Sequence, residues 1–466
     1  MTCAPDAWLG RGRLTVRAWL AIVCAAGLVA GCGLGGGPSR AGPGPTDSGS
    51  GPALRAHVWV LADAPLTAVP SSFLGISTEY WSLPSWAASM PLLERTLALV
   101  HVRGDGPLIL RIGGDSADHA FWDPNRAPMP TWAFGIYPRW LRQVRALVRR
   151  DHLRVILDLN LVTDTPQQAA QWAAAAEAAL PRGTIIAFEI GNEPDIYSRT
   201  DWAAVIGTDS LEAVRLPGTP AADAQLPAAV SPQDYGRDLL AYAAALRRVA
   251  PHVGLAGPAL ADPLVHASWL PAVLATTPGA LHLLTIHRYP YTGCRHLSRA
   301  ANYATIARLL SPAATTGMAS ALRRDVAVAQ RAGLPLRMTE LNSVNCGGRP
   351  GVSDSFATAL WAPDALFALA RVGIDGVNVH VRADAINAAF AIGPRGLDAR
   401  PLLYGLILFA RALGPHPRLV RVITGQPRSL DLDGWVVRVG TRTLHVVLVD
   451  NSRRSARVTL QLPVHG

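Results

Sequence analysis

The sequence predicts a (β/α)8 barrel joined to a small β-sandwich. Three observations predict it. From residue 73 onward, eight short apolar runs alternate with helical patterns, and near-continuous apolar runs suit parallel strands buried on both faces. After about Val420 the pattern changes to strand-like runs separated by turn residues. Before the first run, Leu54–Leu61 alternates apolar and polar residues, which adds a strand to the same sandwich. A doubly wound open sheet is the competing architecture for such alternation.

The elements follow in order. Arg11, Arg13 and Arg17 precede an apolar run from Ala18 to Ala30, too short to span a bilayer comfortably. Residues 1–31 read as a secretory signal ending in Leu28-Val29-Ala30-Gly31-Cys32. Small residues before a cysteine resemble a bacterial lipoprotein signal, in which Cys32 is lipidated and becomes the mature N-terminus. An exported protein anchored to a membrane, at the cell surface or in the periplasm, is the expectation. An ordinary signal peptide or an uncleaved anchor is the alternative. Residues 32–53 are rich in Gly, Pro and Ser and read as a flexible tether.

Residues 54–72 hold the N-terminal strand of the sandwich, 73–415 the barrel and 416–466 the rest of the sandwich. Barrel strands are expected at Phe73–Tyr80, Leu108–Asp115, Val155–Leu161, Ile185–Glu193, Val253–Leu260, Leu283–Pro290, Leu336–Asn342 and Gly376–Arg382. Helices are expected at Tyr137–Arg150, Pro166–Ala179, Ser231–Ala250, Met318–Ala332 and Ser355–Arg371. Thr165-Pro166 and Ser231-Pro232 each set a capping residue before a proline at the first helical position. Trp435–Val439, Leu444–Val449 and Ala456–Leu462 read as sandwich strands, with turns at Asp433-Gly434 and Asn451-Ser452. The segment from Ile196 to Val230 is irregular and is expected to shape the cleft mouth.

Composition narrows the partners. Half of the 466 residues are hydrophobic, so a large core is available. The net charge is +10, yet the chain has no lysine, and its arginines form scattered pairs such as Arg149-Arg150 and Arg323-Arg324. Nucleic-acid binding needs a clustered basic face with aromatic platforms, so no nucleic-acid partner is expected. Cys3 and Cys24 lie in the signal and Cys32 is the lipid site. The remaining pair, Cys294 and Cys346, suggests one disulfide in an oxidising compartment. Neither has a neighbouring Cys or His pair, so no metal and no cofactor is expected.

Chemistry in such a barrel gathers where strands end at its C-terminal face. Strand four ends in Glu189-Ile190-Gly191-Asn192-Glu193-Pro194-Asp195, and strand seven in Thr339-Glu340-Leu341-Asn342. Glutamates there would face each other across the mouth, as retaining glycosidic cleavage requires, with carboxyl groups about 5–5.5 Å apart. Glu193 is assigned as acid/base, since a proton donor needs a raised pKa, and Glu340 as nucleophile. Asn192 would donate to the sugar 2-hydroxyl. Arg111 on strand two, and His287 or Tyr289 on strand six, are placed to hold Glu340 ionised. Glu189 shares a face with Glu193 one layer deeper and reads as a buried structural carboxylate.

At these residues the chain resembles the large clan of retaining glycosidases whose acid/base follows an asparagine at the end of barrel strand four. Within it the chain is similar to glycoside hydrolase family 79, the β-glucuronidase and heparanase-like group. The matching strings are Phe73-Leu74-Gly75-Ile76-Ser77-Thr78-Glu79-Tyr80, Leu110-Arg111-Ile112-Gly113-Gly114-Asp115-Ser116, Glu189 to Asp195, His287-Arg288-Tyr289-Pro290, and Thr339 through Asn345-Cys346-Gly347-Gly348. The resemblance implies a glucuronic acid, its carboxylate held by N–H groups and the amide of Asn345, Gly347 and Gly348. It also implies a Cys294–Cys346 staple on that loop. Glu79, Asp115, Ser116 and Asn160 would line the sugar pocket, and Trp81 or Tyr80 would stack on a sugar face. No processed linker between strands two and three is evident, nor basic clusters suited to heparin. The expectation is therefore an exo-acting β-glucuronidase, with or without a 4-O-methyl group on the sugar. The alternatives are a neutral-sugar β-glycosidase of the clan, a heparanase-like endo-enzyme, or a catalytically silent carbohydrate-binding surface protein.

Overall fold

The computed structural model describes residues 21–24, 53–61, 64–151, 153–197, 230–393, 395–452 and 455–462. Cys32, the tether from Gly33 to Gly51, and most of the segment from Ile196 to Val230 lie outside them. Of residues 1–52, only the backbone of Ala21–Cys24 is described, running parallel to Val447–Asp450 at a sheet edge.

Strands Leu74–Glu79, Ile109–Gly113, Arg154–Leu159, Ile185–Ile190, Gly254–Leu260, Leu283–Arg288, Leu336–Leu341 and Gly376–His380 close a parallel barrel in sequence order. Strand eight pairs with strand one, which excludes the open doubly wound sheet. Ile76, Leu110, Phe188, Ile286 and Met338 are fully buried. Burial on both faces explains why the runs are continuous rather than alternating. Strand four stops at Ile190, three residues before the expected end, which frees Gly191-Asn192-Glu193 to turn over the barrel mouth.

Capping follows the sequence signals. Thr165 accepts from the N–H of Gln168 over helix Pro166–Ala179, and Ser231 with Asp234 closes a capping box on Pro232–Leu246. The helix expected at Met318–Ala332 is instead two, Thr316–Ala321 and Arg323–Ala332, with the break at fully buried Leu322. Turning the chain there seats Leu322 in the core.

The second sheet runs in the order Thr443–Asp450, Leu432–Val439, Arg418–Gly425, Leu54–Leu61 and Ala456–Gln461. Leu54–Leu61 thus lies inside the sheet, second from its edge, antiparallel to one neighbour and parallel to the other. Asp433-Gly434 is not a turn. Both residues pair within the ladder, opposite Val449 and Leu448, and the chain reverses at Gly440 with φ +61°. Long-range pairing overrides that local turn signal. Trp435 ties this sheet to the barrel: its indole N–H donates to Asp364 at 2.6 Å, and its ring stacks on Phe367.

Candidate active site

Glu193 follows strand four in the left-handed region, at φ +57°, where a non-glycine residue is strained. Its N–H donates to Ala259 O at 3.1 Å, and its carbonyl accepts from Ile196. These bonds hold the turn and aim the side chain inward. Its Oε1 meets His287 Nδ1 at 2.9 Å.

Glu340 ends strand seven under a different set of partners. Arg111 Nη1 donates to Oε1 and Tyr289 OH donates to Oε2, at 2.7 and 2.8 Å. His380 Nδ1 is 3.4 Å from Oε1. Arg111 is fully buried and organises the whole floor. Its Nε binds Glu189, its Nη2 binds Asp158 at 2.7 Å and Asn192 Oδ1 at 3.0 Å. Glu189 also accepts from Thr339, as befits a structural carboxylate. The glycines of Arg111-Ile112-Gly113-Gly114 make room: a Cβ on Gly113 would strike Asp158, and one on Gly114 would strike Glu79.

One carboxylate oxygen of Glu193 and one of Glu340 lie within 4.8 Å of each other. Their protonation preferences diverge. Burial pushes Glu193 above its ordinary range, and the negative charges of Glu340 and Asp195 add to this against the bond from His287. Burial also pushes Glu340 up, but His380, His287, Arg111 and the Tyr289 hydroxyl outweigh it and hold Glu340 at about 2. One carboxyl is disposed to keep a proton, the other to stay charged.

Of the two strand-six candidates for holding Glu340, Tyr289 makes the hydrogen bond and His287 acts on it only through its charge. The hydrogen bond of His287 goes to Glu193, while its Nε2 is buried without a partner.

A cavity of about 490 Å3 opens over the pair, lined among others by Glu79, Asp115, Tyr289, Asn345, Cys346 and Gly347. Two expected sugar contacts are elsewhere. Asn160 bonds Ala120 O and Thr163 beneath the loop after strand three and does not line the cavity. Asn192 is buried behind the floor, its amide oxygen taken by Arg111. Ser116 is likewise structural, bonding Gly113 O and the N–H of Tyr80. Tyr80 is buried with its hydroxyl on Asp158 O, and exposed Trp81 meets His119 edge-on, so neither is a stacking platform over this cavity.

Cys294 and Cys346 form a disulfide that ties the loop after strand six to the loop after strand seven. Within that loop Gly348 N–H is spent on Asn345 O, and Asn345 Oδ1 accepts from Gly293 N–H. The backbone N–H groups of Gly348 and of Asn345, the latter spent on Tyr291 O, are therefore occupied, while the side-chain NH2 of Asn345 has no partner among the described residues. Cys346 and Gly347, at φ +53° and +72°, carry no backbone partner on N–H among the described residues.

Three side chains escaped the sequence reading. His380 at the end of strand eight bridges Glu340 and Glu79, and Arg382 and Arg288 line the cavity. The signal for His380 was available: Asn378 and His380 are polar residues two apart in a valine-rich strand, hence on one face. Among the described residues, Glu193, His287 and Glu340 could converge on a cation. The guanidinium already 2.7 Å from Glu340 opposes a dication there.

No protein-family model matches the chain, and no curated protein matches it. Solved structures do, over most of its length. A 4-O-α-L-rhamnosyl-β-D-glucuronidase from Fusarium oxysporum aligns with TM-score 0.65 and 15% identity, covering 88% of this chain and 85% of that one. A family 51 α-L-arabinofuranosidase from Bifidobacterium longum aligns at 0.59 and 15%, covering 88% of each. A family 51 arabinofuranosidase from Xanthomonas axonopodis pv. citri aligns at 0.61 and 13%, covering 88% and 89%. This chain shares their fold. At such identity the shared property is a parallel barrel carrying a β-sandwich-like unit.

Proposed function

We propose that this protein is a retaining glycoside hydrolase acting on β-linked glycosides, with a terminal glucuronic acid as the sugar it releases. One observation carries the reading: two carboxyl groups within 4.8 Å over one cavity, one disposed to hold its proton and one held ionised. Double displacement requires that pairing at about 5–5.5 Å. Glu340 attacks the anomeric carbon and forms a glycosyl ester as Glu193 gives its proton to the departing oxygen. Glu193, now a carboxylate, takes a proton from water that attacks the same carbon and frees Glu340.

The acidic sugar is supported by the N–H groups of Cys346 and Gly347 at the cavity wall, and by the family 79 resemblance of the loop that carries them. The Fusarium neighbour, named for a glucuronic acid linkage, is in keeping with it. A neutral sugar is the second reading, favoured by Glu79 and Asp115, which accept hydroxyl hydrogens and repel an anion. The tether and Cys32 lead us to place the enzyme outside the cytoplasm on a lipid anchor, and a disulfide suits an oxidising compartment.

The test is a panel of 4-nitrophenyl β-glycosides with the purified domain, the glucuronide and glucoside foremost. Glu340→Ala and Glu193→Ala should each lose turnover by orders of magnitude while remaining folded. Azide should restore activity to Glu193→Ala and yield a β-azide, since its nucleophile is intact. Variants that match the parent would sink the assignment. For the anchor, Cys32→Ser should move the protein from the membrane to the soluble fraction, and unchanged partition would refute it.

A further inference from the structure

The catalytic pair divides the cavity into two sides. The sugar that is transferred sits over the nucleophile, and the leaving group sits over the proton donor. On the nucleophile side, following the barrel from strand seven through eight to one and two, are the 345–348 loop, Arg382, Glu79 and Asp115. On the donor side, after strands four, five and six, are Ile196, Asp262 and Arg288, the last two paired at 2.7 Å. Each side therefore has one arginine.

Arg382 is the one that faces the 345–348 loop. Its Nε is held by Asp384 at 2.9 Å, while Asp115 touches Nη1 only at 3.3 Å. Neither aspartate engages Nη2, which lies so close to the loop that a Cβ on Gly347 would be 3.5 Å from it. Cys346 and Gly347 offer their N–H groups at the same wall.

We propose that Arg382 is the specificity-determining cation of the glycone side, reading the carboxylate of an acidic sugar together with the N–H groups of Cys346 and Gly347. The inference rests on the hydrolase reading above. A planar guanidinium with a free edge beside two N–H donors matches a carboxylate and gives a hydroxymethyl group little. Asp115 holds the arginine in place when no sugar is bound and yields Nη1 when the carboxylate arrives. Arg288, locked to Asp262 beside the leaving group, does not read this sugar.

The experiment compares kcat/KM for 4-nitrophenyl β-D-glucuronide and β-D-glucoside in the parent, Arg382→Gln, Arg382→Lys and Arg288→Gln. The glucuronide-to-glucoside ratio should fall roughly ten- to hundredfold in Arg382→Gln, the range of one charged hydrogen bond, with partial recovery in Arg382→Lys. A general structural defect lowers both rates and leaves the ratio alone. An unchanged ratio in Arg382→Gln, a parent that cleaves only the glucoside, or a ratio lost in Arg288→Gln instead would each overturn the proposal. Calorimetric titration with D-glucuronate and D-glucose reads the subsite without turnover. An inactive parent that still binds glucuronate over glucose, with loss of that preference in Arg382→Gln, would fail the hydrolase reading and keep this one. A parent that binds neither sugar would overturn it.

Discussion

Removing one oxygen from Tyr289 tests the electrostatic account of Glu340. The Tyr289 hydroxyl donates to Glu340 Oε2 at 2.8 Å, while Arg111 and His380 serve Oε1. In Tyr289→Phe the ring remains, and Oε2 loses its protein donor among the described residues. A hydrogen bond to a charged group contributes about 1.5–3 kcal/mol, which is roughly 1–2 pKa units if it acts on the ionised form alone. Glu340, held at about 2 in the parent, should then titrate at roughly 3–4. The sign follows from linkage. Glu340 has a depressed pKa, so its contribution to stability is present above the ordinary carboxylate range and is lost as pH falls through the depressed value. The variant should be less stable than the parent at pH 7, with the gap closing below about pH 3. The acid limb of kcat/KM, measured with an aryl glycoside, should move upward by the same 1–2 units or so. If limb and stability gap both stayed where the parent has them, Tyr289 would not be what keeps Glu340 ionised.

Other outcomes follow from the same geometry. Glu193→Gln should lose the basic limb of kcat/KM, which in the parent reports deprotonation of the raised Glu193, and should retain most activity only on glycosides with strongly acidic leaving groups; a surviving basic limb would assign it to another residue. Asp164 is buried and pushed up to about 7, so its folded state holds a proton that the unfolded state releases, and stability should fall as pH rises from about 4 to 7. Asp164→Asn should flatten that part of a melting-temperature profile, and an equally steep profile would count against it. Replacing both Cys294 and Cys346 by serine opens a link across 52 residues, a loss of at most about 4 kcal/mol by loop entropy. The larger effect should be a raised KM with a smaller change in kcat, because the loop that carries Cys346 and Gly347 loses its tie; an unchanged KM would separate that loop from the sugar.

The strands were legible because each is a short, mostly apolar run, and the two glutamates because each lies at the end of such a run where a barrel collects its chemistry. Helix starts were legible at Thr165 and Ser231, where the capping chemistry is contained within four residues. Other local signals misled. Asp433-Gly434 has turn residues but is held straight by the strand opposite, and Leu322 interrupts a helix whose pattern continues through it.

The roles on strand six show most plainly where local reasoning ends. Alternation along a strand predicts that His287 and Tyr289 share a face, and both do reach the carboxylates. The pairing with strand seven shifts register between Ile286 and His287, and His287 is bonded to Glu193 while Tyr289 remains with Glu340. Such a shift arises from how two strands fit, not from either run alone.

What the sequence determined by itself is the barrel, the strand borrowed by the sandwich from residues 54–61, and the two glutamates at the ends of strands four and seven. These depend on periodicity and on strand ends, both written along a few neighbouring residues. Only the tertiary structure decided that His287 serves Glu193, that His380 and Arg382 join the cavity, and that Asn160 and Asn192 do not line it. Those contacts join residues up to about 300 positions apart, as in His380 with Glu79. They follow from barrel closure and side-chain direction at the mouth, where the period of two has already ended.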